Sequence, residues 1–223
     1  MNVAIILNDN SYPGREYLSA IISHGLKIDA VVIGSFSEFD NEEDERCGGL
    51  WSPPQQDSLF RDLSVYRFSS LNDGALLRFL RERKYDFGIQ GGTGILKAPI
   101  IDSFRYGILN FHPGKLPEYR GCSAPEWQLL EGKDVVCTCH LIDDGIDSGK
   151  VYRYKVLFDR GVRDYYKMRA GIYPRISNFV VEILKELDEE FPNRCFEQDE
   201  SKAIYRKYIG NDLIEKLKIK MKE

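Results

Sequence analysis

The sequence lacks any long hydrophobic run: its first apolar stretch, residues 3–7, is short, and no later one approaches the length of a membrane span. We therefore expect neither a signal peptide nor a membrane-spanning helix. Cysteine is scarce, with five residues at no regular spacing, which argues against a disulfide framework and favours a reducing cytoplasm. A basic excess is also missing. The 31 basic and 35 acidic residues give a formal net charge of −4, which disfavours a protein that binds nucleic acid along its backbone.

Apolar runs alternate with amphipathic stretches from the amino terminus onward. Residues 3–7 and 28–33 have the pattern of buried strands, and residues 15–24 between them have helical spacing. Later stretches continue this pattern, with strands predicted at 65–68, 86–90, 108–111, 135–142 and 151–158. This alternation predicts an α/β fold, a Rossmann-like, mostly parallel twisted sheet flanked by helices. We expect the last two strands to pair with each other across the loop between them.

The chain changes character after Arg160, where helical spacing continues for roughly thirty residues. Pro174 inside this stretch is expected to kink or split the helix. We assign residues 1–190 to one domain and residues 191–223 to a short helical C-terminal extension. Residues 212–223 are amphipathic, so their apolar stripe either packs on the same domain or forms a homodimer contact. The acidic stretch 40–46 is either a surface loop or a lid over the substrate.

Two signals fail on inspection. The glycine-rich turn at residues 90–95 has neither the Gly-Lys-Ser/Thr end of a P-loop nor the spacing of a dinucleotide fingerprint. Its glycines leave the backbone uncovered by side chains, so a flat ligand can approach the main-chain groups closely. Cys137, Cys139 and His140 superficially suggest a metal site, but on a strand the two cysteines share one face and the histidine points away. With no second cluster to complete four ligands, we predict no metal.

The informative segment contains Asn110 and His112, two positions apart at the carboxyl end of a predicted strand. In an open α/β sheet, ligands bind at that edge. The later stretch 142–149 places three aspartates in a glycine-bounded loop, again after a strand. An amide, an imidazole and a carboxylate that converge there are suited to acyl transfer. From spacing alone, a loop histidine and turn-forming aspartates remain an equal alternative.

The order of residues in these two segments resembles the folate-dependent formyltransferases. Asn110-Phe-His112-Pro-Gly-Lys-Leu-Pro-Glu-Tyr-Arg-Gly and the later Asp144-Gly-Ile-Asp147-Ser-Gly are similar to the two motifs of that family. The family includes glycinamide ribonucleotide, methionyl-tRNA and nucleotide-sugar N-formyltransferases. The resemblance implies the formyltransferase fold, with Asn110, His112 and Asp147 as catalytic residues. Thr138-Cys-His140 resembles the strand that leads to the second motif, which places His140 in the scaffold.

The resemblance also implies a folate pocket, and N10-formyltetrahydrofolate as co-substrate without a metal. Gly94 stands where the family has an arginine that lines the pterin pocket. We assign cofactor binding to Gly94, Ile95, Leu96, Asp143, Asp144 and Gly145. In the implied reaction, Asn110 and a protonated His112 donate to the developing oxyanion. Asp147 keeps His112 cationic and accepts the proton of the attacking amine.

The acceptor is inferred mostly from what the sequence does not contain. The turn at residues 8–14 lacks the Gly-Ser-Asn phosphate turn of the purine enzymes, and residues 191–223 are too few for the C-terminal barrel of the methionyl-tRNA enzymes. We therefore predict a small-molecule amine acceptor, most like a nucleotide-linked amino sugar, with no nucleic-acid or membrane partner. Asn10, Lys115 and Arg120 are assigned to this acceptor, the two cations to a diphosphate. Another amine, or an inactive folate-binding module, remains as an alternative.

Overall fold

The computed structural model of the protein describes residues 1–35 and 46–222. In that part of the chain, seven strands form the main sheet and two short strands form a second. The main sheet comprises β1 (Val3–Asn8), β2 (Ala30–Gly34), β3 (Val65–Phe68), β4 (Phe87–Gln90), β5 (Ile108–His112), β7 (Val135–Leu141) and β8 (Val151–Phe158). The small sheet pairs β6 (Arg120–Gly121) with β9 (Tyr205–Arg206).

The strand order of the main sheet is β3-β2-β1-β4-β5-β7-β8. Strands β3, β2, β1, β4 and β5 are parallel, while β7 and β8 are each antiparallel to the preceding strand of the sheet. The mostly parallel sheet and the pairing of the last two long strands are thus confirmed. Because the order reverses on either side of β1, the carboxyl ends of the central strands open a crevice suited to a ligand.

Helices flank the sheet on both faces. They are α1 (Tyr12–Ser23), α2 (Gln56–Phe60), α3 (Gly74–Arg83), α4 (Ala98–Ile101), α5 (Ala124–Leu130), α6 (Tyr165–Leu184) and α7 (Asn211–Lys220). Alternate residues of β1 face opposite layers. Ile5 and Leu7 pack in the core that contains α1 and α6, whereas Ala4 and Ile6 pack in the core that contains α3 and α4.

Two helices differ from the predictions in their bounds. Helix α1 begins at Tyr12, before the predicted residue 15, because Oγ of Ser11 accepts a hydrogen bond from the Gly14 N–H and caps the first turn. Helix α6 runs unbroken through Pro174, so of the predicted kink or split, the split is wrong. A proline removes one helical hydrogen bond, and burial of Ile172, Ile176 and other residues of this helix outweighs that loss.

The C-terminal extension folds back on the rest of the chain. Phe191, Ile214 and Leu217 are buried in the same core as α1 and α6. The apolar stripe of α7 therefore packs on its own chain, which leaves Ile219 exposed. The domain boundary at residue 190 stays a prediction, and residues 40–45 of the acidic stretch lie outside the described residues. Among the described residues, no helix is both long and apolar enough to cross a bilayer.

Candidate active site

Asn110 and His112 lie at the carboxyl end of β5, with the core residue Phe111 between them. Alternation along the strand directs both polar side chains away from the core that Phe111 enters. The amide of Asn110 has a defined orientation, since its Oδ1 accepts a 2.9 Å hydrogen bond from the Phe111 N–H. Its Nδ2 donor group is therefore directed towards the loop that joins β7 to β8.

Asp147 of that loop comes close to both residues. Its Oδ1 lies 3.5 Å from Nδ2 of Asn110, and its Oδ2 lies 3.5 Å from Nδ1 of His112. Oδ2 also accepts a 2.8 Å hydrogen bond from the backbone N–H of Gly121. The backbone of Asp147 is left-handed, with φ of 53°, a conformation uncommon for a residue with a side chain. The structure thus brings the three residues assigned as catalytic into one cluster.

Both ring nitrogens of His112 are engaged in this arrangement. Nε2 lies 2.6 Å from the carbonyl oxygen of Tyr119, which can only accept, so Nε2 carries a proton and donates. Nδ1 faces the Asp147 carboxylate. The ring is buried and does not line the cleft beside Asn110. Both ring nitrogens thus face protein oxygens, and donation from His112 to an oxyanion stays a prediction.

His140, which the sequence analysis places in the scaffold, belongs to the site. It pairs with Asn110 across β5 and β7, is 2% exposed, and lines the cleft. Its Nδ1 donates to the Leu141 carbonyl at 2.9 Å, and its Nε2 lies 3.1 Å from Nδ2 of Asn110. Burial lowers the pKa of His140 to about 4, so the ring is neutral at pH 7 and Nε2 accepts from the amide. The available signal was a polar residue near the end of a predicted strand, just before the loop that contains Asp147.

The cleft has a volume of about 180 Å³ and lies between the turn after β4 and the loop after β7. It is lined by Gln90, Gly94, Ile95, Leu96, Asn110, His140, Ile142, Asp143, Gly145, Ile146 and Asp147. Five of the six residues assigned to cofactor binding are in this set. The exception is Asp144, which is exposed beside the cleft. Ile95 is 72% exposed at the opening, an apolar surface open to a ligand.

The three residues assigned to the acceptor do not join this cleft. Asn10 is exposed in the turn before α1, and Lys115 lines a different cavity, where its Nζ lies 3.4 Å from Glu118. Arg120 is 1% exposed, and its guanidinium contacts Gln198, Glu200 and Tyr205. Its assignment to a diphosphate needs correction, because a buried guanidinium that already has protein partners is not free to bind one.

The cysteines next to His140 belong to the core. Cys137 and Cys139 are buried on the opposite face of β7, and burial raises the pKa of both thiols. Within residues 1–35 and 46–222, no group of three or more His, Cys, Asp or Glu side chains is placed to hold a metal.

Residues 1–158 match a family model described as formyl transferase. The chain belongs to the formyl transferase family. The matched residues include Asn110, His112, His140 and Asp147, whereas α6 and the C-terminal extension lie beyond them. Methionyl-tRNA formyltransferase of Lachnospira eligens is 25% identical over 197 residues, which are 86% of this chain. The chain spans only 60% of the length of that relative.

Solved structures share the fold of this formyl transferase chain. The N-formyltransferase of Helicobacter canadensis, in complex with folinic acid and dTDP-3-aminofucose, superposes with a TM-score of 0.63 at 18% identity, over 92% of this chain and 71% of that one. Phosphoribosylglycinamide formyltransferase of Streptococcus pneumoniae gives a TM-score of 0.60 at 21% identity, over 83% of this chain and 97% of that one. At these identities, the likeness shows a common fold.

Proposed function

We propose that this chain transfers a formyl group from N10-formyltetrahydrofolate to a primary amine. We further propose that the amine belongs to a nucleotide-linked amino sugar. The observation that carries the proposal is the position of the Asp147 carboxylate at the cleft, within 3.5 Å of both Nδ2 of Asn110 and Nδ1 of His112. This arrangement combines an oxyanion donor with a proton acceptor, the two groups that acyl transfer to an amine requires.

The lining of the cleft is compatible with a folate. Ile95, Leu96 and Ile142 supply apolar walls for a flat ring, while Gly94 and Gly145 allow close approach to the backbone. Gln90 and Asp143 add polar groups that orient a heterocycle. The bound folate would supply the activated formyl carbon, and the residues of this chain would orient it, stabilise the oxyanion and transfer the proton.

Asn110 is placed to stabilise negative charge on the formyl oxygen. Its carbonyl oxygen is held by the Phe111 N–H, and its Nδ2 carries two hydrogens beside the cleft. His140 Nε2 accepts one of them at 3.1 Å. The other is directed at Oδ1 of Asp147 over a long 3.5 Å contact, which a bound oxyanion would replace. A donor oriented in advance contributes about 10²–10³ in rate.

Asp147 is placed to take the proton that the amine releases when it attacks. The new bond joins the amine nitrogen to the formyl carbon, the bond from that carbon to the folate nitrogen breaks, and the proton passes from the amine to the leaving nitrogen. Asp147 holds this proton in transit, directly or through a water molecule. The Gly121 N–H holds the carboxylate in place with a 2.8 Å hydrogen bond, and His112, fixed by the Tyr119 carbonyl, lies 3.5 Å from the same oxygen.

Two observations support the sugar acceptor. The Helicobacter canadensis N-formyltransferase, which shares the fold, is solved with a dTDP-linked amino sugar. The acidic net charge of −4 disfavours a long nucleic-acid ligand. The curated relative that acts on methionyl-tRNA favours the tRNA as the second candidate.

The test is a formyl-transfer assay with N10-formyltetrahydrofolate and a panel of amines, with products identified by mass. The panel contains dTDP-linked 3-amino and 4-amino sugars, glycinamide ribonucleotide and methionyl-tRNA. We expect a mass gain of one formyl group on a nucleotide sugar alone. Formylation of only the tRNA or the ribonucleotide would refute the sugar acceptor and leave the chemistry standing. Folate binding with no product from any amine would refute the enzyme and support a binding module.

A further inference from the structure

The C-terminal extension reaches the loop of Asp147 through a buried arginine. Arg120, on β6, is 1% exposed, and its guanidinium is surrounded by residues of the extension. Its Nε and Nη2 donate to Oε1 of Gln198 at 3.2 and 2.8 Å. Its Nη1 donates to Glu200 and to the Tyr205 hydroxyl at 3.0 and 3.1 Å. A buried cation with this many partners holds the extension in one position relative to β6.

Gln198 passes this constraint on to the loop. Its Nε2 donates to the carbonyl oxygens of Asp147 and Gly149, at 2.9 and 2.7 Å. The oxygen end of the amide is held by Arg120 and the nitrogen end by the loop backbone. Only an amide can accept from a guanidinium at one end and donate to two carbonyls at the other. Glutamine therefore suits this position by its hydrogen-bonding groups as well as by its shape.

The loop requires such support because its backbone is strained at Asp147. A left-handed conformation at a residue with a side chain costs on the order of 1 kcal/mol, and φ of Asp147 is 53°. Strand β6 holds this residue from two sides. The Gly121 N–H donates to the carboxylate directly, and the neighbouring Arg120 acts on the backbone through Gln198.

We propose that Gln198, oriented by Arg120, is a positioning residue that keeps the Asp147 carboxylate facing Asn110 and His112. The inference rests on the proposed function for the part that Asp147 takes in turnover. It assigns to the extension, which lies outside residues 1–158 of the family match, an effect on the chemistry that acts through Asp147.

The decisive variant is Gln198→Glu. The new carboxylate keeps the length of the side chain and the contact with Arg120, so we expect the extension to stay in place. It has no hydrogen to give to the two loop carbonyls, and its charge repels them. A displacement of about 1 Å costs about 10²-fold in rate, so we expect kcat to fall by that order, with KM for the formyl donor changed less than about threefold. Gln198→Met is the second variant, in case the first fails to fold.

The matched control is Glu197→Gln, in the same segment. Glu197 forms an exposed ion pair with Lys150, and exposed pairs contribute little, so kcat should not change. A double variant then distinguishes the loss of Asp147 positioning from a general loosening of the structure. In the Asp147→Asn background, Gln198→Glu should produce no further loss. Equal losses in both backgrounds would show that Gln198 does not act through Asp147, and would overturn the proposal.

The NMR signals of the histidine rings report the position of Asp147 without any turnover, so they test this inference separately from the proposed function. The sequence has three histidines, and two of them, His112 and His140, lie 3.5 and 3.8 Å from Asp147. In Gln198→Glu, we expect their NMR ring signals to move and those of His24 to stay. Moved signals in a protein that formylates no amine would uphold the positioning and refute the function. Unmoved signals with unchanged kcat in an active enzyme would overturn the positioning.

Discussion

The backbone N–H of Gly121 donates a 2.8 Å hydrogen bond to Oδ2 of Asp147, although the two residues are 26 positions apart. Both have left-handed backbones, with φ of 90° at Gly121 and 53° at Asp147. The same carboxylate oxygen lies 3.5 Å from Nδ1 of His112. This bond therefore links the small sheet, which includes β9 of the C-terminal extension, to the polar cluster at the cleft.

Replacement of Gly121 should show how much this hydrogen bond contributes to stability and to kcat. An alanine Cβ at this position would lie 2.4 Å from the Arg206 carbonyl oxygen, so Gly121→Ala must push β9 away and disturb the bond to Asp147. We expect both lower stability and lower kcat. Gly132→Ala is the matched control, since its φ is 68° and nothing lies within 4 Å of the added atom. It should cost about 1 kcal/mol of backbone strain and leave kcat unchanged. Urea unfolding measures the stability of both variants, and steady-state kinetics measures their kcat. Equal losses of stability and kcat in the two variants would show that the bond from Gly121 to Asp147 is not needed for turnover.

Asp147→Asn tests the proton acceptor. The amide preserves the size of the side chain and an oxygen for the Gly121 N–H, but it cannot take a proton from the amine. We expect kcat to fall by about 10²–10⁴-fold, the usual contribution of a general base, with folate binding still measurable by calorimetry. Asp212→Asn, at an exposed position on α7, serves as the control. Near-normal turnover of Asp147→Asn would remove Asp147 from the proposed mechanism.

The depressed pKa of His140 makes stability depend on pH. Burial lowers this pKa to about 4 in the folded protein, against an ordinary value of 6.5. Between these values the unfolded chain binds more protons, so the free energy of unfolding should fall as the pH drops from 6.5 towards 4. At about 1.4 kcal/mol per pKa unit, the loss is on the order of 3 kcal/mol.

Urea unfolding between pH 7 and 5 measures the upper part of this loss, about 2 kcal/mol, before most carboxylates begin to titrate. The slope should persist in His24→Gln, whose ring lies at the exposed end of α1, and should flatten in His140→Gln. An unchanged slope in His140→Gln would show that another group is responsible.

Ile95→Ala tests the folate site. Ile95 is 72% exposed at the opening of the cleft, so a bound ring would cover it. Loss of three carbon atoms, partly buried on binding, corresponds to about 1.5 kcal/mol at about 0.8 kcal/mol per buried CH₂. We expect about a tenfold rise in KM for the formyl donor, with little change in kcat. Ile219→Ala, at an isoleucine of α7 that is 63% exposed, should change neither. A fall in kcat alone would argue against a binding role for Ile95.

Much of the fold was predictable because it depends on local pattern. The run 3–7 and its successors are strands in the structure because continuous apolar residues bury both faces of a sheet. The α6 helix was visible in its spacing, but not its continuity through Pro174, because the burial that outweighs the lost hydrogen bond comes from neighbouring elements. The sequence likewise assigns Lys115 and Arg120 to a diphosphate, because the protein partners of a charged side chain are not visible before the chain folds.

By itself, the sequence determined the alternating α/β pattern, the family motifs, and the polar residues at the ends of β5 and β7. These follow from side-chain periodicity and from residue order, which are local properties. Only the tertiary structure decided that His140 faces Asn110, that Arg120 is buried under the extension, and that Gln198 holds the Asp147 loop. Each of these depends on pairing between segments distant in the chain, where burial and hydrogen-bond geometry select one partner among many of the same chemical type.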